Sequence, residues 1–156
     1  MIMKKLISII FFLTLFGCGF KVINVSEKNN FSIIDYETSG EKKINYIIKN
    51  RISYYTKSNS SKEITINISS KKIRSIKEKN IKNEITKFNI TISADVEIYE
   101  ISKNNTNKFL ITETGIYSVA KQNSQTRNNE QNLVNLLSKE LANSILEKIR
   151  ISLNDL

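Results

Sequence analysis

The 156-residue chain has no histidine, no proline and no tryptophan, one cysteine and four glycines. Without histidine the usual general base near neutral pH is gone, and with it the commonest nitrogen ligand for a metal. A single cysteine, Cys18, gives no partner for an intrachain disulfide. Four scattered glycines build neither a glycine-rich phosphate loop nor a nucleophile elbow. Acidic residues are also scattered. Asp95 and Glu97 stand two apart in the longest strand-like run, so alternation puts both on one face, where solvated side chains explain them better than a catalytic pair does. These absences point away from an enzyme and call for no metal and no cofactor. The missing proline and tryptophan accompany an abundance of isoleucine, lysine and asparagine, the bias of AT-rich coding.

Long hydrophobic runs are scarce too. Leu6 to Phe16 is apolar or small and hydroxylated throughout, but it falls short of the roughly 20 residues that cross a bilayer. Lys4 and Lys5 precede it and Leu15-Phe16-Gly17-Cys18 follows, a small residue directly before cysteine. This is the pattern of a bacterial lipoprotein export signal. Phe16 is larger than the residue usual at that place. Residues 1–17 are therefore expected to be removed and Cys18 to be lipidated. At about 0.8 kcal/mol for each buried CH₂, three acyl chains make such an anchor effectively permanent.

Charge is present in excess of one sign. Lysine and arginine number 24 against 15 acidic residues, for a net charge of +9, and removal of the signal would leave 139 residues carrying +7. That length suits one domain, residues 18–156, with a modest core. The charge favours anionic partners such as phosphorylated lipid, polyanions or acidic protein, and export argues against nucleic acid. The same charge also follows from lysine-rich coding, so position has to decide which lysines matter.

Phe31 to about Glu37 reads as a first strand. Ser39-Gly40-Glu41 introduces a helix with Ile44, Ile47, Ile48, Ile52 and Tyr55 at helical spacing, ended by the stretch Ser58 to Ser61. Ile64, Ile66 and Ile68 then alternate with polar residues, less cleanly through Ile73 and Ile76, with a bulge expected in Ser69 to Lys72. Lys77 to Glu84 reads as a hairpin tip. The return strand carries Phe88, Ile90, Ile92, Ala94, Val96 and Ile98 in strict alternation. Lys103 to Lys108 is expected to turn into a last strand over Phe109 to Ala120, with a bulge expected at Gly115. From about Asn128 the period becomes helical, with Leu133, Val134, Leu137, Leu141, Ile145, Ile149 and Leu153 in one stripe. The order implies an α+β two-layer sandwich: a four-stranded, mostly antiparallel sheet with two helices packed on one face. The other face would carry Thr, Ser, Asn, Lys and Glu and meet water or a wet partner surface.

Gly17-Cys18-Gly19-Phe20, the element order, and the segment Ala120 to Ile149 with its Arg127-Asn128-Asn129-Glu130-Gln131 run resemble the lipopolysaccharide-assembly lipoproteins LptE, also called RlpB. The resemblance implies a non-catalytic lipoprotein of the outer membrane, anchored on the periplasmic side. It would plug the lumen of an LptD-type β-barrel, support that barrel's assembly and help deliver lipopolysaccharide. It also implies lipopolysaccharide binding by basic residues near the sheet's tips. Arg127 corresponds best to one such position, just ahead of the helix, where a cation opposes the macrodipole. Lys77 and Lys79, with Arg74, are the candidates in the preceding hairpin. The same features fit a periplasm-facing structural or binding lipoprotein of another envelope or secretion complex.

Overall fold

The computed structural model describes residues 31–56, 60 and 62–154. The expected signal peptide, Cys18 and most of the Ser58 to Ser61 stretch lie outside the described residues. The elements are β1 (Phe31–Gly40), α1 (Lys42–Tyr55), β2 (Lys62–Lys79), β3 (Ile85–Glu100), β4 (Asn105–Ser118) and α2 (Asn123–Asn154). They form an α+β fold with one four-stranded sheet in the order β1-β2-β3-β4. β1 and β2 run parallel, and the other two pairs are antiparallel. A parallel pair cannot be closed by a tight turn, so α1 supplies the crossover and lies on the sheet. Among the described residues, no helix is long and apolar enough to cross a membrane.

Isoleucine makes the core. Ile64, Ile66 and Ile68 of β2 lie beside Ile98 and Val96 of β3, and with Ile90, Ile92 and Ala94 they are all buried on one face. α1 covers that face with Ile44, Ile48 and Ile52, and α2 with Val134, Leu137, Leu141, Ile145, Ile149 and Leu153. Each large side chain buried this way contributes about 1.5–3 kcal/mol. β-branched residues suit the pleated strand, and the long stripe of α2 gives the sheet a single continuous cover.

The alternation breaks in places other than those expected. Between β2 and β3 the register is unbroken from Ile64 to Ile76, so Ser69 to Lys72 holds no bulge; the irregularities lie between Ile76 and Lys79. Small Ser70 serves instead as the seat of the β1–α1 turn. The Glu41 N–H donates to the Ser70 carbonyl at 3.2 Å, and Gly40, at φ +88°, passes where any Cβ would collide with that carbonyl oxygen. Gly115 is likewise no bulge, because β3 and β4 stay in register from Lys87↔Ser118 to Glu100↔Asn105. A Cβ there would stand 2.7 Å from Leu133 Cδ1, so the glycine admits a leucine of α2.

Both turns are shorter than expected. Strand pairing continues to Lys79, and the tip is closed by Asn80, whose side-chain oxygen accepts the N–H groups of Lys82 and Glu84. β4 starts at Asn105, because Asn104 takes the left-handed conformation (φ 51°) that asparagine tolerates. α2 begins at Asn123 rather than near Asn128. Its apolar stripe starts later than its hydrogen bonding does.

Candidate functional site

The inward-facing positions of β2 run Ile64, Ile66, Ile68, Ser70, Lys72, Arg74, Ile76, and in mid-strand they change from apolar to charged. The change coincides with the first turns of α2. Thr126 ties α2 to the end of β4, its Oγ1 accepting the Ala120 N–H at 2.9 Å, and the Asn129 side chain donates to the Ser118 carbonyl at 3.1 Å. These contacts bring Glu130 over the sheet. The Tyr117 hydroxyl donates to Glu130 Oε2 at 3.1 Å, Lys72 Nζ reaches Oε1 at 3.5 Å and Arg74 reaches Oε2 at 3.5 Å.

Aromatic rings floor this cluster. Phe88 stacks on Tyr117 with centroids 5.6 Å apart, and the Arg74 guanidinium lies 3.7 Å above the Phe88 ring. Burial, followed by the hydrogen bond to Glu130 and the charge of its carboxylate, pushes the Tyr117 phenol above its ordinary pKa. The cluster thus holds two cations, one carboxylate, one phenol and a stacked floor at the rim of the core.

Of the four basic candidates, only Arg74 belongs to it. Arg127 does not precede the helix as expected: it is inside α2, one turn ahead of Glu130, exposed and with no ion pair among the described residues. Lys77 lies at the irregularity near the tip and is exposed. Lys79 Nζ donates to Asn83 Oδ1 at 2.9 Å across the turn, and so helps to close it. Lys77 and Lys79 are separated from Arg74 along a hairpin that outruns the helices. Lys72 and Glu130 escaped the sequence reading. The signal that would have found Lys72 is the extension of the Ile64-Ile66-Ile68 row, which makes Lys72 and Arg74 inward-facing; no sequence signal marks Glu130.

The outward face of the sheet has a different chemistry. Asn67 and Ser69 of β2, Asp95 and Glu97 of β3, Lys108 of β4 and Ser39 of β1 line an open depression of about 550 Å³. Asp95 and Glu97 do share this face, and Glu97 pairs with Lys108 at 3.0 Å. Thr91 and Thr114 hydrogen bond across the strands beside it. Neither helix covers this face.

With the fold and this geometry in view, the chain is similar to several solved lipoproteins. Rare lipoprotein B from Shewanella oneidensis superposes with a TM-score of 0.59 at 11% identity, over 74% of this chain and 92% of that one. An uncharacterized lipoprotein B from Nitrosomonas europaea gives 0.60 at 16% identity, over 86% and 92%. A lipoprotein from Caulobacter crescentus gives 0.56 at 15% identity, over 76% and 89%. At such identities the likeness is one of fold, a rare lipoprotein B-like lipoprotein fold. No protein-family model and no curated protein sequence matches the chain.

Proposed function

We propose that this protein is a lipid-anchored, non-catalytic component of the outer membrane that seats its open sheet face against the polar lumen of an LptD-type β-barrel and engages lipopolysaccharide through its basic side chains. The observation that carries this reading is the outward face itself. Thr65, Asn67 and Ser69, then Ser93, Asp95 and Glu97, then Thr106, Lys108 and Thr112 present hydrogen-bonding groups across three strands with no helix over them, with exposed Leu110 an apolar interruption among them. An apolar partner would bury, without a hydrogen bond, those of these polar groups that have no neighbour on the sheet to pair with, at a cost of about 1–3 kcal/mol each. The lumen of a wide membrane barrel is polar and suits them.

The likeness of fold to rare lipoprotein B supports the same reading, as does the Lys4 to Cys18 signal pattern. Lysine and arginine recognise phosphate, the anionic group of lipopolysaccharide, through charge-assisted hydrogen bonds. Tagged protein purified from host outer membranes in mild detergent tests the proposal. One large β-barrel protein recovered in equal amount is the expected result, read by mass spectrometry. Recovery alone, or with periplasmic proteins only, would overturn it in favour of a lipoprotein of another envelope complex.

A further inference from the structure

We propose that Glu130 is the resident counter-anion of a two-cation phosphate site formed by Lys72 and Arg74, and that a phosphate monoester binds there by displacing it. The inference rests on the reading that this chain engages phosphorylated lipid, and it names the atoms at which it does so.

Lys72 and Arg74 project from the helix-covered face of β2, where the core ends, and their side chains are 31% and 45% exposed. Both reach one carboxylate, each at 3.5 Å, longer than the 2.7–2.9 Å usual for a charge-assisted hydrogen bond. Glu130 is therefore shared between two cations and close to neither. Its shorter hydrogen bond, at 3.1 Å, comes from the neutral Tyr117 hydroxyl, a partner that the carboxylate can retain when a ligand takes its place between the two cations.

Arg74 is pre-positioned for the exchange. Its guanidinium carbon lies 3.7 Å from the centre of the Phe88 ring, which Tyr117 backs by stacking, and its ion pair with Glu130 leaves most of its five donors for a ligand. Two cations against one carboxylate leave a net positive charge. A phosphate monoester carries about −1.5 to −2 near neutral pH and offers three acceptor oxygens, so it neutralises the pair where a carboxylate cannot. The planar fork of a guanidinium also favours bidentate contact with phosphate over the point-charge contact of an ammonium. The chemistry selects a terminal phosphate group, whether free or on a lipid headgroup.

The test is calorimetric titration of the full-length mature protein, in detergent, with phosphorylated lipid A, with the same lipid dephosphorylated, and with inorganic phosphate. Wild type, Glu130→Gln, Arg74→Lys and the double variant Lys72→Gln/Arg74→Gln are compared after thermal melts establish that each is folded. Glu130→Gln should bind phosphorylated lipid A about fivefold more tightly, the scale of one partly exposed ion pair, and should leave the dephosphorylated lipid unaffected. Arg74→Lys should lose part of the affinity despite its conserved charge, and the double variant should lose nearly all of it. A matching gain for inorganic phosphate would identify free phosphate as sufficient, whereas a gain for lipid A alone would require the headgroup; either supports the exchange. Unchanged or weaker binding by Glu130→Gln, with wild-type binding intact, would overturn the role of Glu130 and leave the lipid-binding reading standing. Failure of both wild type and Glu130→Gln to bind phosphorylated lipid A would overturn both.

Discussion

The two ends of β2 differ although they are written in the same alternating pattern. Ile68 is sealed at 0% exposure, whereas Ile76, eight residues on and on the same face, is 52% exposed. What separates them is cover. β1 ends opposite Ser70, so α1 must run back from that level toward Lys62 to allow a parallel second strand, and it adds nothing above Ser70. α2 starts near Tyr117 and ends with its Leu153 carbonyl accepting from Lys62 Nζ at 2.6 Å, so it spans the sheet only up to the cluster around Glu130. Beyond that the hairpin continues alone. Period two states which face a residue takes, and the reach of the helices decides whether the face is dry.

The contrast breaks most readily at the isoleucines. Ile68→Ala should cost about 2–5 kcal/mol in chemical denaturation, the range for a buried large-to-small change. Ile76→Ala should cost well under half of that, and similar losses for the two would refute the division of the strand. Next in size is Gly115→Ala, which drives a Cβ to 2.7 Å from Leu133 Cδ1 and should cost about 1–3 kcal/mol by overpacking. Adding Leu133→Ala should recover part of that loss, a coupling that a double-mutant cycle measures.

The covered end holds a group that sharpens the comparison further. Tyr36 lies on β1 with its hydroxyl buried and without a hydrogen-bond partner among the described residues. Burial raises its phenol pKa. Tyr36→Phe should therefore be neutral or stabilise by up to about 1 kcal/mol, since it removes an unpaired polar group. The raised pKa means that the folded state keeps its proton where the unfolded chain has lost it. Stability from this group is present below about pH 10 and declines as pH rises above that value. Denaturation melts between pH 9 and 11 should show the decline in wild type and a flatter profile in Tyr36→Phe. The smallest effect belongs at the tip. Ile81 is fully exposed, and Ile81→Lys should shift stability by no more than about 0.5 kcal/mol, read from the same melts.

Much of the fold was legible because its signals are local. Ile64 to Ile68 and Phe88 to Ile98 alternate cleanly, Leu133 to Leu153 keeps helical period, and the six elements follow in the expected order. The errors share a cause. Ser69 to Lys72 and Gly115 look like interruptions of a strand, but Ser70 receives the β1–α1 turn and Gly115 receives Leu133, partners distant in sequence. The start of α2 was placed late because its first turn is polar and held to β4 by Thr126 and Asn129 rather than by an apolar stripe. At the site, Arg74 entered only as one of the hairpin cations that the family resemblance implies, beside Lys77 and Lys79. Lys72 and Glu130 did not enter, since nothing in a linear chain marks a carboxylate 58 residues away as the partner of a strand lysine.

The chain by itself determined the face each strand residue takes, the helix-bearing segments, the positive charge and the poverty in catalytic groups, because these depend on periods of two and 3.6 residues and on composition. Only the tertiary structure decided where the cover ends. α1 must return to make a parallel pair and α2 is pinned at Tyr117, so an apolar row becomes a charged cluster at the point where the helices run out. That cluster is set by the distance between elements in space, which no periodicity encodes.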